Sequence, residues 1–495
     1  MLKKDMGRTN KMKPIDSKQE VVRRIQSLGL PVVIFGAGAA GQVLLQACRD
    51  EGIEVDCFCD DNIIKKDTVV SGVRVTHTGD LKNEYPDAAI IISAADIHDM
   101  IENLNRIGYP KDNLFPALFL LKDYSLDKYF GLQKYNEEDA TEGFVKFAVD
   151  CTIACQDGFG HPEKVFMRSV DIVVTEKCSM KCTDCSNLMQ YFEDPINYEI
   201  DDMKEAIDLL SEYADEIHEF RVIGGEPFMN KNWHIVLDIL TSKENVKRVV
   251  IYTNGTILPR EHQIESLKNE KIIFMITDYS DCGGDDSPNK KTANLSRSKK
   301  RVDKLEELCK KEKIDYRRHP PENWTDCGRI EDFGRSDEEN KEVFRSCCCK
   351  NLITLSEGEL HRCPFSAQIT RLGVSDFKED YVELTEEISS VKMKKKLRSF
   401  LFEKDSISAC KYCPGRKLSD EQIVPAVQTE KPIQIPVSLR PPKKLLGPHD
   451  QGAARVGPTM NRRNYMDGYY TDGMIDVVEK VFHKDLMRFG YKYGD

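Results

Sequence analysis

Eight residues, Cys178-Ser179-Met180-Lys181-Cys182-Thr183-Asp184-Cys185, space three thiols as Cys-x3-Cys-x2-Cys. A loop that short can wrap one corner of an iron–sulfur cube, whose thiolate ligands normally number four. Three thiols leave one iron without a protein ligand, and an open metal position is where chemistry occurs. The alternative is a zinc site or three unpaired thiols. Zinc motifs pair two Cys-x2-4-Cys knuckles, however, and Cys178 to Cys185 makes no such pair. Just upstream, Asp171-Ile172-Val173-Val174-Thr175 is β-branched and reads as a strand, which puts the loop at a strand's carboxyl end.

Further motifs follow in order. Arg221-Val222-Ile223-Gly224-Gly225-Glu226-Pro227-Phe228 comes first, and Thr253-Asn254-Gly255-Thr256 follows the strand-like Val249–Tyr252. Ile272–Ile276 then runs into Thr277-Asp278-Tyr279-Ser280. Bare glycines let a ligand approach the backbone, and a carboxylate beside them can accept from an ammonium. With the cysteine loop, this series resembles the radical S-adenosylmethionine (SAM) superfamily. The resemblance implies that the amine and carboxylate of SAM chelate the iron left open by Cys178, Cys182 and Cys185. It also implies SAM contacts from Gly224, Gly225, Glu226, Asn254 and Thr277, with Thr277 near the ribose. One departure is Asp184, at a position where the superfamily often has an aromatic packing on adenine.

A length of 495 residues suggests about three domains, and 40% hydrophobic content is enough for sizeable cores. The net charge of −11 argues against a nucleic-acid partner, which calls for a basic footprint. No apolar run is long enough to span a membrane, and the start lacks the apolar segment of a secretory signal. Seventeen cysteines clustered at metal-type spacings fit a reducing cytoplasm better than a disulfide scaffold. A cytoplasmic location is therefore expected.

Pro31–Phe35 reads as a buried strand leading into Gly36-Ala37-Gly38-Ala39-Ala40-Gly41 and a helix with Val43, Leu44, Ala47 and Cys48 on one face. A strand expected over Ile53–Phe58 then delivers Asp60-Asp61-Asn62. Strand, glycine turn, helix, strand and acid are the context of a dinucleotide-binding fingerprint. Gly36, Gly38 and Gly41 would bring backbone N–H groups to a phosphate, while Asp60 or Asp61 would hold a ribose hydroxyl or base edge. The stretch also resembles the small N-terminal domain of bacterial sugar acyltransferases, which implies a nucleotide-sugar rather than NAD. Cys57 and Cys59 read as core filling, as do Cys151 and Cys155, spaced i,i+4 on an expected helix.

Beyond the first motifs, Cys347-Cys348-Cys349, Cys363 and the Cys410-Lys411-Tyr412-Cys413 knuckle form a second thiol group. Leu352–Arg362 reads as a hairpin turning at Glu357-Gly358 and delivering Cys363. Four such thiolates can hold one cube, and a zinc ribbon is the alternative. The spacing resembles the twitch domain, a short form of the SPASM domain, and is similar to that of the 2-deoxy-scyllo-inosamine dehydrogenases. On that likeness the ligands are Cys363, Cys410, Cys413 and one of the triplet, with Cys347 preferred. Cys282, Cys309 and Cys327 have no partner at ligand spacing and read as bland. After Gly415, scattered prolines suggest a linker or wrapping segment, ending in an expected amphipathic helix Gly473–Phe489.

The expected architecture is α/β. It assigns 1–28 to an extension, 29–125 to a Rossmann-like nucleotide-binding domain and 126–165 to a connector. A partial (β/α)6 barrel then takes 166–330, a twitch/SPASM-like domain 331–418, and a linker with a terminal helix 419–495. The implied cofactors are SAM and two [4Fe–4S] clusters, with a nucleotide-sugar or NAD on the first domain. The implied enzyme cleaves SAM reductively to a 5′-deoxyadenosyl radical and oxidises or epimerises a carbohydrate, drawing electrons from a flavodoxin or ferredoxin-type donor. Oxidation needs a base for the hydroxyl proton. Arg221, Tyr191 and His361 are its candidates by nearness to the cluster motifs, and Asn187 and Gln190 could bond substrate hydroxyls. The competing functions are a peptide-modifying maturase and a non-catalytic nucleotide-binding regulator.

Overall fold

The computed structural model describes residues 17–132, 141–280, 282, 292–322, 324–374, 377–417 and 420–439. The expected helix Gly473–Phe489 lies outside the described residues. Two sheets organise the rest. The first has the strand order Val69–Val70, Val73–His77, Cys57–Asp60, Val32–Phe35, Ala89–Ile92, Leu114–Pro116. Its pairings are parallel except for the short hairpin between Val69–Val70 and Val73–His77.

Alternation along the strands explains the layers, because successive side chains point to opposite faces. Val32 and Ile34 pack with helices Lys18–Leu28 and Ala39–Asp50 on one face. Val33, Phe35, Cys57 and Cys59 pack with helices Thr78–Glu84 and Ile97–Arg106 on the other. Lys18–Leu28, assigned from sequence to the extension, thus contributes Val21 and Ile25 to this core. The strand expected from Ile53 starts only at Cys57, because Ile53 N donates to Cys48 O and closes the preceding helix.

The second sheet runs Asp315–His319, Ile272–Thr277, Val246–Thr253, Glu216–Ile223, Phe166–Val173, Ile353–Ser356, Glu359–His361, Tyr381–Glu383. From Asp315–His319 to Ile353–Ser356 all neighbours are parallel. Five of these strands fall within 166–330, where six βα units were expected. Pro320 and Pro321 follow the fifth and cannot donate to a further ladder. The sixth parallel strand, Ile353–Ser356, comes from the later hairpin and joins at the opposite edge of Phe166–Val173. The hairpin turns where expected, with φ of 48° at Glu357 and 78° at Gly358.

Helices Ile200–Tyr213, Trp233–Thr241 and Thr292–Glu312 follow strands Phe166–Val173, Glu216–Ile223 and Ile272–Thr277, and Met203, Trp233 and Leu305 pack in the core on the sheet's outer face. The inner face carries Asp171, Arg221, Val250 and Ile273 in one register level, with Val173, Ile223, Tyr252 and Met275 in the next. Helix Glu142–Gly160, assigned to the connector, is wedged between the two sheets. Its Phe144 and Phe147 pack on Val250, Ile273 and Met275. On its other side, Gln156 Nε2 donates to Ile92 O at 2.8 Å and Thr152 Oγ1 to Ser93 O at 3.1 Å. Cys151 and Cys155 are buried on this helix. No helix among the described residues is long and apolar enough to cross a membrane.

Candidate active site

Strand Phe166–Val173 ends just before the loop that carries Cys178, Cys182 and Cys185, and the three thiols stand together with Met180 and Ala426. Burial pushes the Cys178 thiol up to about 11, while N–H groups of Met180 and Lys181 pull it back. Burial also raises Cys182 and Cys185, and Cys185 faces the N–H groups of Asn187, Leu188 and Met189. N–H groups aimed at sulfur stabilise thiolates, and a soft metal that binds thiolate overcomes the burial cost.

The Gly224-Gly225 turn locks onto the base of this loop. Gly225 N donates to Thr175 O at 2.9 Å, and Glu226 N to Lys177 O at 2.8 Å. A Cβ on Gly224 would lie 2.3 Å from Thr175 O, and one on Gly225 would lie 2.2 Å from Lys177 O. These glycines therefore admit the cysteine loop itself as well as any ligand. Glu226 departs from its expected role at the SAM ammonium. It is 0% exposed, and accepts from Thr253 Oγ1 (2.8 Å), Phe228 N (3.3 Å) and Asn254 N (2.9 Å). Its carboxylate ties the glycine turn to the next strand end instead. Asn254 Nδ2 donates to Ser179 Oγ at 3.2 Å, and Thr277 Oγ1 stands 3.4 Å from His319 Nε2. All these positions gather at the carboxyl ends of the strands.

Two partners of the loop were not legible beforehand. Gly328 packs so closely that a Cβ there would meet the Asp184 carbonyl carbon at 2.6 Å. The proline-bearing segment 420–439 straps across the loop: Thr183 N donates to Val427 O at 2.7 Å and Thr429 N to Lys181 O at 2.9 Å. Ala426, 2% exposed, seals the strap against Met180 and Cys182. Cys282, read as bland, donates through its N to Tyr279 O, and Tyr279 packs against Cys182. Thr429→Pro removes one strap donor, and is expected to speed iron loss from this loop several-fold in air without unfolding the chain. Bleaching of the iron–sulfur absorbance, with circular dichroism as control, measures it.

The second thiol group rings a cavity of about 110 Å³. Cys347, Cys349, Cys363, Cys410 and Cys413 line it, and so does Cys327, contrary to the bland reading. Cys348 is exposed and does not line the cavity, whereas Cys347 and Cys349 do. Cys363 caps helix Pro364–Arg371, its Sγ accepting from Ser366 N at 3.4 Å, and Cys413 Sγ accepts from Gly415 N at 3.3 Å. Arg335 holds the Cys410–Cys413 knuckle through Cys410 O (2.7 Å) and Cys413 O (2.6 Å). Cys349 is pulled well below the usual thiol range by the Cys347 and Cys348 thiols, and then by Arg416. Among the described residues, no three Cys, His, Asp or Glu side chains converge as a site for one metal ion. The cavity adjoins the first loop, since Ser186 and Asn187, which follow Cys185, line it beside Cys327.

Of the three candidate bases, Arg221 lines this cavity beside Asp171. Tyr191 is 7% exposed and its hydroxyl accepts from Ile330 N at 3.2 Å. His361 is 1% exposed, between Glu359 (3.1 Å) and Ser366 (3.4 Å), with its ring against Tyr381. Both are engaged in packing rather than facing the cavity. Gln190 is likewise committed, donating to Gly328 O at 2.8 Å, while Asn187 lines the cavity. Asp171 was passed over as a strand residue. It is 0% exposed, its Oδ1 is 3.1 Å from Arg221 Nε, and neither oxygen has a properly aligned donor among the described residues. Burial pushes its carboxyl up to about 7 despite Arg221.

In the first sheet, Gly36 has φ +108° and a Cβ on Gly41 would lie 1.9 Å from Gly36 O, so the turn requires both glycines. Helix Ala39–Asp50 begins at Gly38 with no side-chain cap. Asp60 is not free for a ribose: Oδ2 accepts from Ala37 N (2.9 Å) and Lys65 Nζ (2.8 Å), and Oδ1 from Asn62 N (2.9 Å). Asp61 is bonded by Thr78, and burial raises its carboxyl above the usual range. Asp60 holds the turn in shape, and Asp61 holds the start of helix Thr78–Glu84.

Comparison with known proteins places the Radical SAM superfamily model on residues 172–314 and a model described as C2185-like, N-terminal on residues 30–115. A GTP 3′,8-cyclase of Xanthomonas campestris pv. campestris is 29% identical over 112 residues, covering 21% of this chain and 31% of that one. One from Staphylococcus haemolyticus is 24% identical over 112 residues, covering 22% and 32%. The chain thus spans about a third of the length of the curated relatives it matches. Among solved structures, BtrN in complex with AdoMet and 2-DOIA is 18% identical, covering 52% of this chain and 97% of that one, with a TM-score of 0.29. SuiB of Streptococcus suis bound to S-adenosylmethionine is 15% identical, covering 39% and 49%, with a TM-score of 0.23. The superfamily's cofactors are SAM and a [4Fe–4S] cluster, which the buried thiol loop and its glycine clamp fit. Residues 172–314 are a radical SAM domain.

Proposed function

We propose that the protein is a radical SAM enzyme that oxidises or epimerises a carbohydrate, with a second [4Fe–4S] cluster as electron acceptor. The observation that carries this reading is the cavity of thiols directly beside the radical SAM loop, with the Asp171–Arg221 pair in its wall. Cys178, Cys182 and Cys185 would hold the first cluster. Cys363, Cys410, Cys413 and Cys347 or Cys349 would hold the second, in a twitch/SPASM-like domain. When bound, these groups supply reductive cleavage of SAM to a radical that takes hydrogen from an unactivated carbon, and a sink for the remaining electron. A flavodoxin or ferredoxin-type protein would provide the first electron.

The chain's own residues do the rest. Arg221, stacked 4.4 Å over the Tyr252 ring, is a fixed donor fork for substrate oxygens. Asn187 adds an amide that can both donate and accept. Asp171 accepts the hydroxyl proton as alcohol becomes ketone, and a carboxyl held near 7 is suited to that transfer at neutral pH. Val173, Met189, Phe192 and Ile223 form an apolar patch beside the cluster loop that keeps water away.

The test is anaerobic incubation of reduced, reconstituted protein with SAM and a panel of sugars and nucleotide-sugars. Formation of 5′-deoxyadenosine should rise with the true substrate, together with a ketone or epimer seen by mass spectrometry. Deoxyadenosine release that no carbohydrate alters would sink the proposal.

A further inference from the structure

The glycine turn of the first sheet does not open to bulk solvent alone. It faces the inner side of the second sheet across a cavity of about 370 Å³. One wall is the turn and the uncapped start of helix Ala39–Asp50, with Lys65 alongside. The other wall is Arg168, Glu219 and Tyr252, from three strands of the radical SAM sheet, and Phe144 and Phe147 of the wedged helix lie between.

The far wall carries two charged groups of opposite sign. Arg168, its side chain 33% exposed, pairs with Asp96 through Nη1 at 2.7 Å, while its Nε has no partner among the described residues. Glu219 is only 6% exposed. The Ser169 hydroxyl neighbours its carboxylate, but that hydroxyl makes no bond of proper geometry to any described residue. A carboxylate buried to this degree is costly unless its charge is met, and Glu219 borders the cavity together with Arg168.

We propose that this chamber is one binding site built by both halves of the chain, for a nucleoside diphosphate esterified to a sugar. The proposal rests on the nucleotide reading of the glycine turn. The diphosphate sits on the helix N-terminus with Lys65 and Arg168 as counter-charges. Phe144 and Phe147 offer ring faces, and Glu219 accepts from sugar hydroxyls. Tyr252 and Met275, at the inner end of the chamber, precede Asn254 and Thr277 by two residues, about 7 Å along a strand. The sugar end therefore lies one side-chain layer beneath the positions assigned to SAM.

Anaerobic calorimetric titration of the cluster-loaded protein tests this with UDP, GDP and dTDP, their glucose esters, and NAD+. At least one glucose ester should bind tenfold or more tightly than its parent diphosphate, and more tightly than NAD+. Glu219→Gln should abolish that preference while leaving the diphosphate's affinity within twofold. Should Glu219→Gln misfold by circular dichroism, Tyr252→Phe is the substitute and should halve the preference or more. Gly38 has φ −86° and open space around its Cβ position, so Gly38→Asp sets a carboxylate at the helix start without strain. It should weaken every diphosphate at least tenfold. A sugar preference that survives Glu219→Gln, or tighter binding of NAD+, overturns the shared site and leaves the turn reading standing. Binding insensitive to Gly38→Asp, or no binding at all, overturns the turn reading and the proposal with it.

Discussion

Gly225→Ala should strip the iron from the radical SAM loop and bring 5′-deoxyadenosine formation to background, while the second thiol cavity stays loaded. The added Cβ would stand 2.2 Å from Lys177 O and 2.7 Å from Cys178 Cβ. Both neighbours are rigid parts of the loop that carries the first ligand, so the backbone must shift by roughly 1 Å. Misplacement on that scale can cost about 10²-fold in a positioned reaction, and a cluster corner tolerates less, because three thiolates must converge together. Iron should therefore fall from about eight to about four per chain, the content of one cube. Gly38→Ala is the control, since nothing lies within 4 Å of its Cβ position. A Gly225→Ala protein that keeps its full iron would show that the loop can yield and that the glycine serves only the ligand.

What the sequence disclosed depended on how local the signal was. The cysteine loop and glycine turns were legible because each is a short run whose residue types have few other uses. The strands were legible because runs such as Val32–Phe35 are apolar on both faces, as a covered parallel sheet demands. The strap was not: Thr429 pairs with Lys181 across some 250 residues, and its prolines say only that no helix or inner strand forms there. Helix Glu142–Gly160 looked like a connector because its two buried sides belong to different sheets. Asp60 had the right spacing for a ribose ligand, but spacing cannot tell whether a nearer donor, here Ala37 N, claims the carboxylate first. Asp171 stood in plain view as a charge within a β-branched run. Its meaning appears only when the register sets Arg221 directly across on the next strand.

That pairing sets the second large effect. Arg221→Met should destabilise the radical SAM sheet by roughly 3–5 kcal/mol at pH 8, the usual cost of leaving one member of a buried ion pair alone. The deficit should shrink on acidification. Asp171 titrates at about 7 in the folded chain, against ~3.9 unfolded, so folding takes up a proton between those values. Its contribution is fully present below pH ~4 and is lost as pH rises through about 7. Removing Arg221 takes away the charge that lowers the Asp171 value and moves that loss to higher pH. At pH 6 the carboxyl is largely neutral with or without Arg221, and methionine then gives up little beyond the stack on Tyr252. Anaerobic hydrogen–deuterium exchange of the Phe166–Val173 and Glu216–Ile223 amides, at pH 6 and 8, measures both values. The double variant Asp171→Asn, Arg221→Met should regain most of the protection at pH 8, since no buried charge is then left alone. A deficit equal at both pH values, or no recovery in the double variant, would mean that Arg221 acts through packing and that Asp171 is not the proton acceptor its setting suggests.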